Sequence, residues 1–259
     1  MTNIQFYKGV IDAPGCISNG WNLLKPNYWM YFGIAIIAMI LAGCIPCISL
    51  FLVGPILGGV FYVILREMRG EPVEFGMMFK GFEKFVPLMV IGLVQSIPEI
   101  IGQILRITID LGRLGVSSGG RGNGNFYQGS DAAPLLAGGL LILALVVGLV
   151  FLVIGITWRV LLFFAIPLAM EHDLGPVDAM KLSAKAAMSN VGGLIVLFIL
   201  EGLVALLGVL ALCIGVFFVI PIIYAANAFA YRQVFPMLNQ SFQTVPPPGT
   251  YGGNFGQAM

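Results

Sequence analysis

Cys44 and Cys47 in the pentapeptide "GCIPC" stand two residues apart, the spacing of a redox dithiol. The same five residues also look like a tight turn between two apolar runs. A membrane thiol oxidoreductase needs a second cysteine pair to relay electrons. Cys16 and Cys213 are single, and the stretch 112–133 contains no cysteine. Three readings of Cys44 and Cys47 stay open: a redox pair, a structural disulfide, and small apolar turn residues. The turn is preferred.

Charges inside long apolar runs need a reason, because each is costly in a bilayer. Glu99, Arg159 and Glu201 interrupt three different runs. At about 1.5 Å of rise per residue they lie roughly 21, 20 and 17 Å from the cytoplasmic ends of their spans, near or just beyond mid-depth. A buried cluster in which Arg159 is shared by Glu201 and Glu99 is expected. It serves either as a structural ion pair or as the centre of a proton- or anion-linked transporter. The third outcome is that these side chains snorkel to the interface. After Glu99, the residues Gln103, Arg106, Asp110 and Arg113 follow at helical spacing and form one polar stripe. "SIPE" (Ser96–Glu99) has the form of a capping box with proline in the first turn, so a break at Ser96 is expected. Such a stripe lines a site in a broken helix, packs on neighbouring helices, or meets water at a rim.

Other chemistry is not indicated. The single histidine, His172 in "EHD", has no second histidine or nearby cysteine for a metal site and reads as a solvated helix end. Nucleotide-loop, zinc-protease and nucleophile-elbow motifs are absent. No catalytic residue, metal or cofactor is assigned.

The elements that position these residues follow from composition. Of 259 residues, 59% are hydrophobic and only 10% charged, whereas a soluble domain is about 25% charged. So apolar a chain takes lipid as its solvent. A net charge of +1 leaves no footprint for nucleic acid. The first apolar run begins near Tyr28 with no short basic start, so a cleaved leader is not expected. The predicted fold is all-α: a polytopic bundle of six spans at about 28–45, 48–66, 85–111, 134–170, 191–209 and 212–233. The 134–170 run is read as one long helix, tilted or kinked, with Pro167 near its end. Segment 1–27 is a cytoplasmic N-terminal piece with an amphipathic helix, and 236–259 a disordered cytoplasmic tail.

Lysine and arginine set the orientation. With both termini inside, Lys8, Lys25, Arg66, Arg69, Lys80, Lys84, Lys181, Lys185 and Arg232 face the cytoplasm. A threefold repeat of "surface helix plus two spans" is also expected. Asn27 and Asn190 each close an amphipathic stretch, and Pro55 and Pro221 each precede an arginine by eleven residues.

"GPILGG" (54–59), "FKGFEKF" and "GPVDAMKLSAKAAMSN" resemble a broad bacterial family of uncharacterised six-span membrane proteins. Some of its members are membrane domains fused to glycerophosphodiester phosphodiesterases. The resemblance covers most of 16–235 and implies the fold, with no catalytic residues to carry over. The expectation is a non-enzymatic scaffold, assembly factor or lipid-associated helper in a bacterial inner membrane. A small transporter and a thiol oxidoreductase are the alternatives. Membrane lipids are the expected partners, with a protein partner or homo-oligomer left open.

Overall fold

The computed structural model describes residues 4–43, 46–119, 133–210 and 215–236; the side chains of 43–49, 108–109, 111–119 and 133–145 lie outside that description. In lipid a backbone has no water to bond, so apolar runs close their hydrogen bonds internally as helices. Every regular element among the described residues is a helix. Six helical stretches are long and apolar enough to cross a membrane: Ala13–Ala42, Leu50–Glu67, Phe75–Ile107, Val146–His172, Val191–Leu210 and Gly215–Val234. The chain is an all-α, multi-pass membrane protein.

The chain order repeats three times. Helix α1 (Ala13–Leu24) leads through a 3-10 turn (Lys25–Asn27) into α2 (Tyr28–Gly43) and α3 (Pro46–Glu67). A 3-10 helix (Phe75–Lys84) leads into α4 (Phe85–Gly119), α5 (Ala133–Leu161) and α6 (Ala165–His172). Helix α7 (Pro176–Met188) leads into α8 (Val191–Leu210) and α9 (Gly215–Val234). Each leading helix packs on the returning span of the unit before it: the 75–84 helix on α3, α7 on α5 and α6, and α1 on α9, which closes a ring.

Small residues permit these contacts. A methyl at Gly20 would lie 3.0 Å from the Ala226 nitrogen, and one at Gly81 would lie 2.0 Å from the Pro55 carbonyl oxygen. In the third unit Ser183, fully buried, takes the equivalent place against the α5–α6 junction. Asn27 and Asn190 stand seven residues after Gly20 and Ser183, each directly ahead of a span, whereas α4 begins four residues after Gly81. The first and third contacts thus share one register.

Two expectations are corrected. Helix α4 runs unbroken through Ser96, whose hydroxyl donates back to the Gly92 carbonyl (2.9 Å) instead of capping a new helix. Pro98 inside it has no N–H for the Val94 carbonyl, and the Trp158 indole N–H donates to that oxygen instead (2.8 Å). The 134–170 run is not one helix. It breaks between Leu161 and Ala165, ahead of Pro167. The loose groups there find side chains: the Ser183 hydroxyl donates to Leu161 O (2.8 Å) and accepts from Phe164 N (3.0 Å), while Gln95 donates to Leu162 O (2.8 Å). The break persists because neighbouring elements replace its missing bonds.

Candidate functional site

Arg66, Arg69, Lys84 and Arg232 gather with Glu171 at one end of the bundle, its basic end. Its centre is Glu171, in the last turn of α6, beside Arg232 in the last turn of α9. Arg232 Nη1 donates to Glu171 Oε2 (2.9 Å), and Nη2 stands 2.6 Å from Oε1 as an ion pair without hydrogen-bond alignment. The Tyr231 hydroxyl donates to the same Oε2 (2.6 Å), and Arg69 Nη1 approaches Oε1 at 3.6 Å. The side chains of Glu171 and Arg232 are only 7% and 8% exposed. Phe164, Tyr231 and Phe235 pack ring against ring around this pair, and Phe6 adds to them from the N-terminal segment.

A shell of further charges surrounds the pair. Glu71 pairs with Arg66 (3.2 Å) and Arg69 (2.7 Å), while Arg66 Nη1 donates to the Tyr62 hydroxyl (3.1 Å). Lys84 donates to the Met170 carbonyl at the end of α6 (2.6 Å) and pairs with Asp173. Asp173 itself takes a left-handed backbone (φ 53°), which stops α6. Lysine at a helix C-terminus satisfies a carbonyl that has no partner inside the helix. The result ties units one, two and three together through charges in or beside terminal turns.

His172 departs from its sequence reading. Its side chain is 7% exposed and lies 3.9 Å from Glu171, so the imidazole is packed against the bundle and not solvated, while the Asp173 that follows is exposed. Neither Glu171 nor Tyr231 was singled out by the sequence. The signal for them was Arg232, whose spacing from Pro221 matches that of Arg66 from Pro55.

The N-terminal segment straps this end. Tyr7 N donates to Val234 O (2.9 Å), Asp12 N to Gln233 Oε1 (2.8 Å) and Val10 N to Asn190 Oδ1 (3.2 Å). Asn190 Nδ2 returns bonds to Tyr7 O (3.0 Å) and Ala186 O (2.9 Å). Asn190 is 2% exposed, whereas its sequence counterpart Asn27 is exposed.

The mid-span charges are not joined as expected. Among the described residues no ion pair within 4.0 Å links Glu99, Arg159 and Glu201. Glu99 on α4 and Arg159 on α5 are exposed, and Glu201 on α8 is half-buried. Arg159 lies near enough to act on Glu201 and Tyr224 electrostatically, without contact. Glu201 borders a narrow gap with Ile17, Val204, Ile222, Ile223 and Ala226, and its Oε1 is buried with no hydrogen bond. Geometry explains the separation: α5 turns Trp158 towards α4, so its neighbour Arg159 points elsewhere.

Of the polar stripe, Gln103, Arg106 and Asp110 are exposed on α4. Arg113 belongs to the same helix, with its side chain outside the described set. Cys44, Cys213 and the Cys47 side chain also lie outside the described residues, as do the stretch 120–132 and the tail from 237. Cys16 is a buried free thiol on α1. Among the described residues no group of three metal-ligating side chains occurs.

No protein-family model matches the chain, and no solved structure does. Curated relatives include an uncharacterized protein of Mycobacterium bovis, 26% identical over 127 residues. Two uncharacterized proteins of Mycobacterium tuberculosis are 26% and 25% identical over the same length. Each alignment takes in 48% of this chain and 39% of the relative, so the chain spans well under half of the relatives it matches.

Proposed function

We propose that the chain is a lipid-associated scaffold or assembly helper of a bacterial inner membrane, with its basic end on the cytoplasmic side. The observation that carries this reading is the two-faced character of the leading helices. Helix α1 buries Ala13, Cys16, Gly20 and Leu24 against the bundle, and the Lys25 that follows it is exposed. Helix α7 buries Ala179, Ser183, Ala186 and Ala187 while Lys181 and Lys185 are exposed. A helix with one packed face and one lysine-bearing face suits the headgroup layer of an anionic membrane. The concentration of arginine and lysine at one end favours the cytoplasmic orientation. The strapped ion-pair network holds the leading helices in a fixed ring, as a platform for lipid or a partner requires.

The test is reconstitution into phosphatidylcholine bilayers with and without phosphatidylglycerol. Anionic lipid should stabilise the protein by about 1 kcal/mol for each lysine at the surface. The triple variant Lys25→Gln, Lys181→Gln, Lys185→Gln should lose that gain. Equal stability in both bilayers would overturn the reading.

A second reading, a proton-linked transporter, is favoured by Glu201 alone: a carboxylate with a buried, unbonded oxygen inside a span. It predicts proton flux into vesicles that Glu201→Gln abolishes while the protein still folds. Absence of flux in the wild type would end it.

A further inference from the structure

We propose that the chain associates with a second copy of itself through α4 and α5, with Glu99 of one copy paired to Arg159 of the next. Both charges lie within stretches that cross the membrane, Phe75–Ile107 and Val146–His172. Both are exposed, and among the described residues neither forms an ion pair within 4.0 Å. A charge on the lipid-facing surface at mid-depth is expensive, and such residues face a partner or water.

The two charges share a depth. Trp158 on α5 donates to the Val94 carbonyl, and Gln95 on α4 donates to the Leu162 carbonyl. This register sets Arg159 level with about residue 95 of α4, roughly 6 Å from Glu99 along the helix axis. Side chains lean towards the N-terminus of their own helix. Because α4 and α5 run antiparallel, Glu99 leans back towards the basic end and Arg159 leans away from it. The carboxylate and the guanidinium converge on one layer.

Copies that share an orientation in a membrane are related by an axis along its normal, so every residue keeps its depth from one copy to the next. An α4–α4 contact about that axis would set Glu99 against Glu99, like against like. An α4–α5 contact sets Glu99 against Arg159 and neutralises both. The surface available for it is large. From Val146 to Val150, and on through Phe151 to Ile154, every residue of α5 is exposed, so among the described residues no other element covers the helix there. Gln103 and Arg106 extend the polar edge of the α4 face. A second copy supplies both the apolar cover and the counter-charge, whereas lipid supplies only the first.

The experiment measures association of the full chain in lipid nanodiscs or dilute vesicles, by single-molecule photobleaching across protein-to-lipid ratios. The wild type should associate. Glu99→Arg and Arg159→Glu should each weaken association by roughly thirtyfold or more, and the double swap should restore it. A second measurement avoids dependence on the swapped proteins folding. In a cysteine-free background, one tagged copy carries Glu99→Cys and a differently tagged copy carries Arg159→Cys. Oxidation should cross-link the two tags, and two copies of Glu99→Cys should not cross-link. A monomeric wild type at every ratio overturns the proposal, as does a double swap that folds but stays monomeric. Modification of both engineered cysteines by a membrane-impermeant thiol reagent in the assembled protein also overturns it, since it assigns the charges to a water-filled path. Loss of the anionic-lipid effect leaves these readouts untouched, so this proposal and the lipid reading fail separately.

Discussion

Replacing Glu171 by glutamine removes the only carboxylate that contacts Arg232 among the described residues while keeping the side chain's shape. The carboxylate accepts from Arg232 Nη1 at 2.9 Å and from the Tyr231 hydroxyl at 2.6 Å, and lies 2.6 Å from Nη2 as an ion pair. The amide of Glu171→Gln can still accept one bond, but its NH2 confronts a second donor on the guanidinium. The Arg232 side chain is only 8% exposed, so little of its charge can be solvated in place. Removing one partner of a buried pair typically costs about 3–5 kcal/mol, mostly because the remaining charge is stranded. Arg69 is 31% exposed and 3.6 Å away, so its contribution is that of a surface pair, below about 1 kcal/mol. At roughly 2–4 °C per kcal/mol for a chain of this size, Glu171→Gln should lower the unfolding midpoint by about 6–20 °C. The assay is thermal unfolding in nanodiscs followed by tryptophan fluorescence and monodispersity. Arg232→Met should cost a similar amount. The double variant Glu171→Leu with Arg232→Met should recover most of the loss, since an apolar pair of similar volume carries no stranded charge. Glu83→Gln, which breaks the exposed Lys80–Glu83 pair, is the control and should be silent. Single variants within about 0.5 kcal/mol of wild type, or a double variant as costly as the sum of the two, would refute the argument.

Three further outcomes follow from the packing. Trp158→Phe should cost about 1–3 kcal/mol by leaving the Val94 carbonyl without a donor, and much less in a Pro98→Ala background, where the backbone N–H of residue 98 bonds that carbonyl; equal costs in both backgrounds would sink the account of the proline. Gly59→Ala, whose methyl would sit 1.6 Å from the Met78 carbonyl oxygen, should cost at least about 3 kcal/mol or prevent folding, while Gly202→Ala, with open space around it, should change the midpoint little. Asn190→Ala should free the N-terminal strap, with a loss of about 2 kcal/mol and faster tryptic cleavage after Lys8, and Asn27→Ala should do neither.

What the sequence determined by itself is the solvent and the class of fold. Apolar runs of bilayer length have few ways to satisfy their backbone, so composition and run length suffice to specify an all-α bundle of six crossings. The threefold order of leading helix and two spans was also legible, because Asn27 and Asn190, and Pro55 with Arg66 against Pro221 with Arg232, mark it in plain spacing.

Side-chain partnership was decided only in three dimensions. Ser96 carries the residues of a cap, yet α4 runs through it, because Trp158 from another helix answers the carbonyl that Pro98 leaves open. The α5–α6 break lies ahead of Pro167, at a place set by Ser183 and Gln95 from elsewhere in the chain. Depth along a helix can be counted in residues, and it put Glu99 and Arg159 in one layer. Azimuth cannot be counted across helices whose rotations are set by packing, and it turned both charges outward. Glu171 and Arg232 are sixty-one residues apart, and the last turns of α6 and α9 meet only because small residues along three leading helices let the ring close.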